Sequence, residues 1–344
     1  MAERILQIDR LETFFSKDKR KIQILNQVSF DIRQGEIVGL VGESGCGKSL
    51  TSLSIMRLFH GTSGAIGGGS IRFKDRDITG CPESEMRKIR GKQIAMIFQE
   101  PMTSLNPSMK IGEQLLEPIR LHLGLKGAQA KAHAVSMLNK VGIPRADEII
   151  HEYPHQLSGG MRQRVMIAIA MSCQPELLIA DEPTTALDVT IQAQILHLMR
   201  TLQREQGMSM LLITHDLGIV AEMCDRVVVM YAGRVVEEAP VHELFEEPKH
   251  PYTRGLIASV PKLGQKKERL DSIRGRVPDP AHMPPGCKFA PRCEHAKAVC
   301  SDLEPDMTLF EGGRSCSCWL YADMKEAGGH ERHAGRGQTV EEIV

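Results

Sequence analysis

A glycine-rich stretch near the N-terminus has the residue types and spacing of a phosphate-binding loop. The residues GESGCGKS, Gly42 to Ser49, fit the pattern G-x-x-x-x-G-K-[ST] and stand between a β-branched run and a helix-like segment. Glycines let the backbone wrap closely around phosphate oxygens, and N–H groups at a helix N-terminus attract anions. In such a loop the lysine reaches the β- and γ-phosphates and the following hydroxyl binds Mg²⁺. We therefore expect Lys48 and Ser49 to bind a nucleoside triphosphate with its magnesium ion.

Two adjacent carboxylates supply the second half of this chemistry. In LLIADEP, four apolar residues lead into Asp181, which places its carboxylate at the carboxyl edge of a buried strand. Asp181 would lie near the phosphate loop and hold Mg²⁺ if the two strands are neighbours. The next residue, Glu182, would orient or deprotonate an attacking water. An Asp-Glu pair can also be a solvated turn, but the apolar run before it and the phosphate loop elsewhere in the chain favour hydrolysis.

A third segment offers another anion-binding helix terminus. In LSGGMRQRVMIAIAM, Leu157 to Met171, a serine and two glycines begin a strongly apolar helix. The N–H groups at that terminus would attract negative charge. One nucleotide needs only one such cradle, so the residues alone leave the second without a role.

The elements that must position these residues alternate along the chain. Uninterrupted apolar strands separated by helices are typical of a largely parallel sheet covered on both faces, so the predicted fold class is α/β. The predicted strands are 36–42, 69–74, 93–99, 176–181, 209–214 and the hairpin RVVVMYAGRVVE, which bends at Ala232 and Gly233. Helices are predicted at 49–59 and 191–205, and helical spacing without strands over 113–152 indicates a helical insertion.

Length and charge limit the alternatives. A chain of 344 residues favours a main domain and a smaller one. We predict a domain over 1–247 with the insertion at about 100–165, an extension over 248–322 and a disordered tail over 323–344. The 43 basic and 43 acidic residues balance, which gives no support for a nucleic-acid surface. The charged N-terminus does not read as a signal sequence, and no apolar run approaches the ~20 residues of a membrane helix.

The motifs, in their order, resemble the ATPase subunits of ABC transporters. They are GESGCGKS, IFQEP with Gln99, LSGGMRQR, LLIADEP, TALD at 185–188 and ITHD with His215. The resemblance covers residues 1 to about 247 and implies a core sheet with an antiparallel β subdomain and the helical insertion. It also implies a sandwich dimer in which LSGG closes over the nucleotide of the opposing subunit. Soluble ABC ATPases of DNA repair or translation are the alternative, but they usually carry two nucleotide modules or a coiled-coil arm, and this chain shows neither.

The resemblance implies roles for individual residues. Glu182, His215 and Gln99 are expected to be catalytic. Mg²⁺ is expected at Ser49, Gln99 and Asp181. An aromatic side chain should stack on adenine, either Phe15 or the neighbouring Phe14. The full set expected to bind ATP is Phe15, Gly42, Glu43, Ser44, Gly45, Cys46, Gly47, Lys48, Ser49 and Leu50. Facing the opposing subunit we expect the signature residues Ser158, Gly159, Gly160 and Gln163 and the D-loop carboxylate Asp188.

Two further segments resemble the ATPases of oligopeptide and dipeptide importers. These are IAMIFQEPMTSLNPSMKIGEQLLEPI and EEPKHPYTRGLIASVP, and MTSLNP resembles the first of the two ATPase paralogues of such systems. The resemblance implies a heterodimer with the second paralogue, with a homodimer as the alternative. It also implies two integral membrane permease subunits, an indirect link to an extracytoplasmic substrate-binding protein, and a place on the cytoplasmic face of the membrane. Relatives that serve nickel, glutathione or sugar-derived ligands share much of this sequence.

Five of the nine cysteines crowd between Cys287 and Cys318. Reduced cytosolic thiols disfavour disulfides, and the spacing lacks the close pairs usual at zinc sites. An iron–sulfur cluster held by four thiolates tolerates wider spacing, and unliganded thiols in a packed lobe remain an alternative. The C-terminal extensions of peptide-importer ATPases resemble this segment, including GCKFAPRC and CWLY, which implies a [4Fe–4S] cluster on Cys287, Cys293, Cys300 and Cys318, with Cys316 as the other candidate for the fourth ligand.

Overall fold

The fold is described from a computed structural model, which covers residues 3–17, 20–59, 63–99, 104–185, 187–260 and 272–326. Parts of several predicted features lie outside these residues: Glu100 and Pro101 of IFQEP, the first two residues of MTSLNP, Ala186 of TALD, Pro261 of EEPKHPYTRGLIASVP, and residues 261–271 of the predicted extension. The predicted tail lies outside them from residue 327 onward. Within the described residues, no helix is both long and apolar enough to cross a membrane.

Strands and helices alternate through most of the chain. The strands are β1 (Arg4–Lys17), β2 (Arg20–Arg33), β3 (Ile37–Val41), β4 (Gly64–Phe73), β5 (Arg76–Asp77), β6 (Ile94–Ile97), β7 (Leu177–Asp181), β8 (Ser209–Ile213), β9 (Arg226–Tyr231), β10 (Arg234–Pro240), β11 (Thr308–Leu309) and β12 (Ser315–Cys316). The α-helices are α1 (Lys48–Met56), α2 (Glu83–Ile89), α3 (Ile111–Pro118), α4 (Gly127–Lys140), α5 (Ala146–Ile149), α6 (Gly159–Met171), α7 (Val189–Gln206), α8 (Leu217–Met223), α9 (Val241–Glu246), α10 (Pro251–Ala258) and α11 (Ala298–Asp302).

The larger sheet has the strand order β11-β12-β10-β9-β3-β8-β7-β6. Within this order, the five strands β9, β3, β8, β7 and β6 are parallel. Strand β10 and the two C-terminal strands β11 and β12 extend the sheet in antiparallel fashion. Every residue of β3, β7 and β8 is buried, as expected for apolar strands covered on both faces. The predicted α/β class is therefore confirmed. The hairpin is confirmed too, since Ala232 and Gly233 both adopt positive φ between β9 and β10.

A second, antiparallel sheet of order β2-β1-β4-β5 covers one face of the larger one. The long strands β1 and β2 were not among the strands predicted from local pattern, although the resemblance implied an antiparallel subdomain. Their register shifts several times, for instance between Ile8 and Leu11, so the alternation of polar and apolar residues is interrupted.

Helices cover the opposite face. One hydrophobic cluster joins that face to α3, α4, α6 and α7, and the other lies between the two sheets with α1 and α2. Successive residues of β3 show the division, because Val41 belongs to the first cluster and Leu40 to the second. Tyr252 and Phe289, which follow residue 247, are buried in the first cluster, and β12 pairs with β10. The carboxyl ends of β3, β8, β7 and β6 all meet at one edge, where the predicted site residues lie.

Candidate active site

The phosphate loop joins β3 to α1, and its own carbonyl oxygens bind the side chain of Lys48. Lys48 is 6 % exposed, and its Nζ donates to the carbonyl oxygens of Gly42 at 2.8 Å and Glu43 at 3.1 Å. Gly45 and Gly47 adopt φ of 81° and 104°, a backbone region that other residues avoid. Positive φ at these positions turns successive N–H groups toward a common point in front of α1, as anion binding requires.

The predicted magnesium ligands Ser49 and Asp181 are brought together, although the condition of neighbouring strands is not met. Ser49 Oγ donates to Asp181 Oδ1 at 3.1 Å, and Ser52 Oγ lies 3.4 Å from Asp181 Oδ2. However, β3 and β7 are not neighbours, since β8 lies between them. Ser49, at the start of α1, nevertheless reaches Asp181 at the carboxyl end of β7. Burial raises the pKa of Asp181, and the charge of Glu182 adds to this effect.

Glu182 stands at the centre of a group of polar side chains. Its Oε2 accepts from Gln99 Nε2 at 3.0 Å and from Thr185 Oγ1 at 2.9 Å. His215 Nδ1 lies 3.3 Å from Oε1 of the same carboxylate. Burial opposes ionisation of Glu182, but the hydrogen bonds of Thr185 and His215 outweigh it and lower the pKa of the carboxyl.

This arrangement can orient a water molecule beside a phosphate. The Glu182 side chain is 14 % exposed and the His215 side chain 64 %, so the carboxylate is sheltered and the imidazole faces the open side. Glu182 also adopts φ of 48°, a strained value for a non-glycine residue that is common at functional positions. Oxygen ligands at Ser49, Asp181 and Gln99 are of the type that Mg²⁺ prefers.

The two candidate aromatic residues lie in different surroundings. Phe15 is half-buried and packs against the cluster between the two sheets, which also contains α1. Phe14 lies over Gly67, where a Cβ would come within 2.3 Å of its ring. Of the two aromatic residues, Phe15 therefore packs against the cluster that contains α1, the helix that follows the phosphate loop.

The signature segment begins α6 and is exposed at its start. Ser158 caps the helix through a 3.4 Å bond from the Met161 N–H to its hydroxyl, and Ser158 and Gly159 are exposed. Gly160 packs so closely on α7 that a Cβ would meet Ile191 Cγ2 at 2.9 Å.

Gln163 does not share this exposed face. It is 2 % exposed, and its amide donates to the carbonyl of Pro183 in the same chain. Its expected contact with the nucleotide of an opposing subunit does not fit this geometry. Gln163 lies five residues after Ser158, which at ~3.6 residues per turn is about 140° around the helix, so its side chain faces the interior while Ser158 faces outward.

Asp188 occupies the N-cap of α7. Its carboxylate accepts from the Ile191 N–H at 2.9 Å, and the residue itself is exposed. The neighbouring Val189 is also exposed, to 83 %.

Comparison with known proteins gives two family matches in chain order. The ABC transporter family matches residues 25–185, and the oligopeptide/dipeptide transporter C-terminal region matches residues 236–300. The oligopeptide transport ATP-binding protein AppD of Bacillus subtilis is 53 % identical over 319 residues, which cover 93 % of this chain and 97 % of AppD. A peptide import ATP-binding protein of Brucella abortus is 50 % identical over 314 residues, covering 91 % of this chain and 94 % of that protein.

The chain belongs to the ABC transporter ATPases, in their oligopeptide and dipeptide branch. The predicted family is thereby confirmed, and with it an ATP-hydrolysing cassette. Among solved structures, the cassette MJ0796, a dimer in a post-hydrolysis state bound to ADP and Pi, aligns with a TM-score of 0.62 at 26 % identity. The alignment covers 69 % of this chain and 98 % of that one. The protein cbiO1 of Clostridium perfringens, part of the transporter complex cbiONQ, aligns with a TM-score of 0.60 over 71 % of this chain and 92 % of cbiO1.

This ABC ATPase gathers four of its C-terminal thiols around one small cavity. Cys287, Cys293, Cys300 and Cys318 line a space of about 20 Å³ together with His250 and Trp319. Burial raises the pKa of Cys318 to about 11, and the other three thiols are close enough to add to the rise. Cys316 is absent from this lining and lies instead in β12, opposite Glu237 of β10. The structure therefore separates the two candidates for the fourth position.

Four thiols are the right kind of ligand for an iron–sulfur cluster, but their positions in this structure are not those of residues that bind a metal ion. Across the described parts of the chain, no three His, Cys, Asp or Glu side chains are placed to hold a metal ion. The cavity has about the volume that one water molecule needs. All nine cysteines are free thiols. The four cysteines expected to hold a [4Fe–4S] cluster therefore line one cavity, but they do not form a preformed metal site.

Two side chains at the phosphate loop were missed by sequence reasoning. Tyr252 and Arg292 both contact Glu43, although they lie far along the chain. HPY at 250–252 and GCKFAPRC at 286–293 served only as marks of the subfamily. A local pattern could not connect them to the loop, since pairing over such distances depends on the folded chain.

Proposed function

We propose that this chain is the ATP-hydrolysing motor subunit of an importer of di- and oligopeptides. The observation that carries the proposal is the group of polar side chains around Glu182, beside the hydrogen bond between Ser49 and Asp181. The names of the relatives in Bacillus and Brucella, which refer to oligopeptide transport and peptide import, support the substrate class.

The loop would bind the phosphates of ATP. Lys48 would exchange the carbonyls of Gly42 and Glu43 for the β- and γ-phosphate oxygens. Backbone N–H groups of residues 44–50 would take part, so the buried side chains of Cys46 and Leu50 need not touch the nucleotide. Phe15 would stack on the adenine ring.

Hydrolysis would then depend on Glu182. Ser49, Asp181 and Gln99 would hold Mg²⁺, which would neutralise charge on the phosphates. The Glu182 carboxylate orients and activates the attacking water, and the exposed His215 contacts the γ-phosphate. The hydrogen bonds that lower the pKa of Glu182 keep it ionised at neutral pH, as a proton acceptor must be.

A second subunit would complete each site. The start of α6, where Ser158 and Gly159 are exposed and Gly160 is half-buried, would present N–H groups to the nucleotide of the partner, and Asp188 would connect the two sites. The dimeric MJ0796 cassette supports this assembly. We propose a heterodimer with a second ATPase paralogue, with a homodimer as the alternative.

The membrane partners follow from this role. Two integral permease subunits would receive the conformational change near Gln99 and the helical insertion, on the cytoplasmic face of the membrane. A substrate-binding protein on the other side would deliver the peptide. The corresponding domains are 1–247 for the ATPase, with its insertion at about 100–165, and 248–322 for the extension, followed by the tail at 323–344.

We further propose that the four cavity-lining cysteines hold a [4Fe–4S] cluster. Their convergence on one cavity supports this, since four thiolates are the usual ligands of such a cluster. Anaerobic purification should give a brown protein with about four irons and four labile sulfides per chain. A Cys318→Ser variant should lose iron, and the matched Cys316→Ser variant should keep it. Iron-free wild-type protein from anaerobic cells would show that the thiols are unliganded.

The function is tested by Glu182→Gln. Glutamine keeps the size and one oxygen acceptor but cannot take a proton, so ATP hydrolysis should fall by roughly 10²- to 10⁴-fold while nucleotide binding remains. The matched control is Glu176→Gln, because Glu176 is a surface carboxylate paired with Lys74 at 2.5 Å. Both variants are assayed with the cognate permease in proteoliposomes, by phosphate release and by uptake of labelled peptide.

The same vesicles separate the motor role from the cargo. Uptake of peptides, but not of nickel or glutathione, supports the proposed substrate class. Uptake of another ligand alone would refute that class and leave the motor role standing. Wild-type hydrolysis by Glu182→Gln would refute the role of the carboxylate, and a tight DNA or ribosome complex formed without membrane subunits would favour a soluble ABC ATPase.

A further inference from the structure

The phosphate loop is held from outside by two side chains of the C-terminal region. The hydroxyl of Tyr252 accepts the backbone N–H of Glu43 at 2.8 Å. The guanidinium of Arg292 donates to both carboxylate oxygens of Glu43, from Nη1 at 2.6 Å and from Nη2 at 2.9 Å. Glu43 is the first variable residue of the loop, directly after Gly42. One loop residue is thus bound through both its main chain and its side chain.

Arg292 is fixed before it reaches the loop. Its side chain is 4 % exposed, and its Nε donates to the carbonyl of Arg274 at 2.8 Å. The guanidinium lies 5.7 Å from the ring centre of Tyr231 and 5.9 Å from that of Phe289. A planar fork held in this way has one orientation for a carboxylate, and a lysine could not reproduce it.

Tyr252 is fixed to the same degree. It is completely buried, and its ring centre lies 4.7 Å from that of Tyr231 and 5.4 Å from that of Phe289. Its own N–H donates to His250 Nδ1 at 3.0 Å. The hydroxyl is therefore presented to Glu43 by a rigid aromatic cluster.

Holding Glu43 also holds the backbone of the loop in place. The carbonyl of Glu43 accepts from Lys48 Nζ at 3.1 Å and from the Cys46 N–H at 3.2 Å. All three polar groups of Glu43, its N–H, its carbonyl and its carboxylate, are therefore engaged. A loop fixed in its binding conformation loses less entropy when phosphates bind, so nucleotide affinity rises.

We propose that Arg292 and Tyr252 are positioning residues of the ATP site, so that the C-terminal region sets the affinity of the phosphate loop for nucleotide. These two residues and Glu43 form a loop clamp. The inference rests on the proposed ATP site. It adds that the cassette reaches its full affinity only with the C-terminal region in place.

A purely structural role is the competing explanation. Arg314 offers a matched control, because it is also a C-terminal arginine, with its side chain 10 % exposed, that joins the core through carboxylates. Its partners, Glu243 and Glu247, lie in and just after α9 and belong to no nucleotide motif. Arg292→Lys and Arg314→Lys should therefore destabilise the chain similarly and differ in nucleotide binding.

The test measures the dissociation constants of Mg-ADP and of a non-hydrolysable Mg-ATP analogue with the full-length chain, together with thermal unfolding. We expect Arg292→Lys to weaken binding roughly tenfold and Tyr252→Phe roughly fivefold. Arg314→Lys should bind within about twofold of wild type, the usual range for a substitution outside the site. Tyr252→Phe keeps the packed ring, so it reports on the hydroxyl even if an arginine variant folds poorly.

A double-mutant cycle shows whether the effect passes through Glu43. In a Glu43→Ala background, Arg292→Lys should weaken binding no further. Steady-state kinetics should show the loss mainly in KM, because the Glu182 group is untouched. The loop clamp would be overturned if Arg292→Lys and Tyr252→Phe bound nucleotide with wild-type or higher affinity. It would also be overturned by additive effects in the cycle or by an equal loss of affinity in Arg314→Lys. Absence of nucleotide binding by the wild-type chain would instead overturn the proposed ATP site.

Discussion

Replacing His250 by asparagine should remove a large part of the acid sensitivity of this protein. His250 caps α10, where its Nδ1 accepts the N–H of Tyr252 at 3.0 Å, so the folded chain requires the neutral ring. The residue is 1 % exposed and packs beside Phe289. Burial lowers its pKa to about 3 from 6.5, with a smaller effect from the charge of Arg254.

The size of the effect follows from these two pKa values. The folded protein keeps His250 neutral, whereas the unfolded chain takes up a proton near pH 6.5. The stability that this difference provides is present above pH 6.5 and is lost as the pH falls toward 3. At ~1.36 kcal/mol per pKa unit, the wild type should lose about 2 kcal/mol between about pH 7 and pH 5 through this residue alone. Asparagine also caps helices but does not titrate, so His250→Asn should lack this loss.

The assay is urea unfolding at neutral and acidic pH, followed by fluorescence of Trp319, which lines the same cavity as His250. Trp319 is the only tryptophan in the chain, so the signal reports on this region. The matched control is His242→Asn, whose side chain is 76 % exposed and which should keep the wild-type pH dependence. If His250→Asn lost as much stability on acidification as the wild type, the assignment of a neutral, buried ring would be refuted.

Two further substitutions test the interface and the core. Ser158→Ala removes a long 3.4 Å capping bond and should cost less than ~1 kcal/mol of stability, whereas ATP hydrolysis by the assembled dimer should fall roughly 100-fold. Nucleotide binding by the single subunit, measured by titration, should not change, and a loss there would contradict the trans role. Arg226→Met leaves Glu36 and Glu238 without their buried partner and should cost about 3–5 kcal/mol in urea unfolding. A cost below ~1 kcal/mol would show that these carboxylates are solvated in the folded chain.

The sequence predicts the parallel core well because strands buried on both faces are recognisable as uninterrupted apolar runs. The strands that became β3, β7 and β8 are uninterrupted apolar runs, and the residues following them carry the chemistry. Asp181 and Ser49 could be paired in advance from their motifs alone. The order of their strands could not be predicted, since it depends on crossover connections that no local pattern records.

Other features could not be predicted for physical reasons. The bulges of β1 and β2 break the alternation on which strand prediction depends. Gln163 points inward because it lies on a different face of α6 from the exposed Ser158, although both stand in the same motif. The bond between Arg292 and Glu43 joins residues 249 positions apart, beyond the reach of any periodicity. The roles of individual residues in binding and hydrolysis remain predictions for the experiments above.

The distance between Arg292 and Glu43 also sets an order of events during synthesis. A ribosome completes the phosphate loop long before Tyr252 and Arg292, which contact it, and it later releases β10 before β12 can cover the free edge of that strand. An open strand edge invites pairing with other chains until the last segments emerge. A prematurely terminated chain would carry every nucleotide motif yet lack the contacts that organise the loop. Translation to the C-terminus thereby becomes a condition for a fully formed motor.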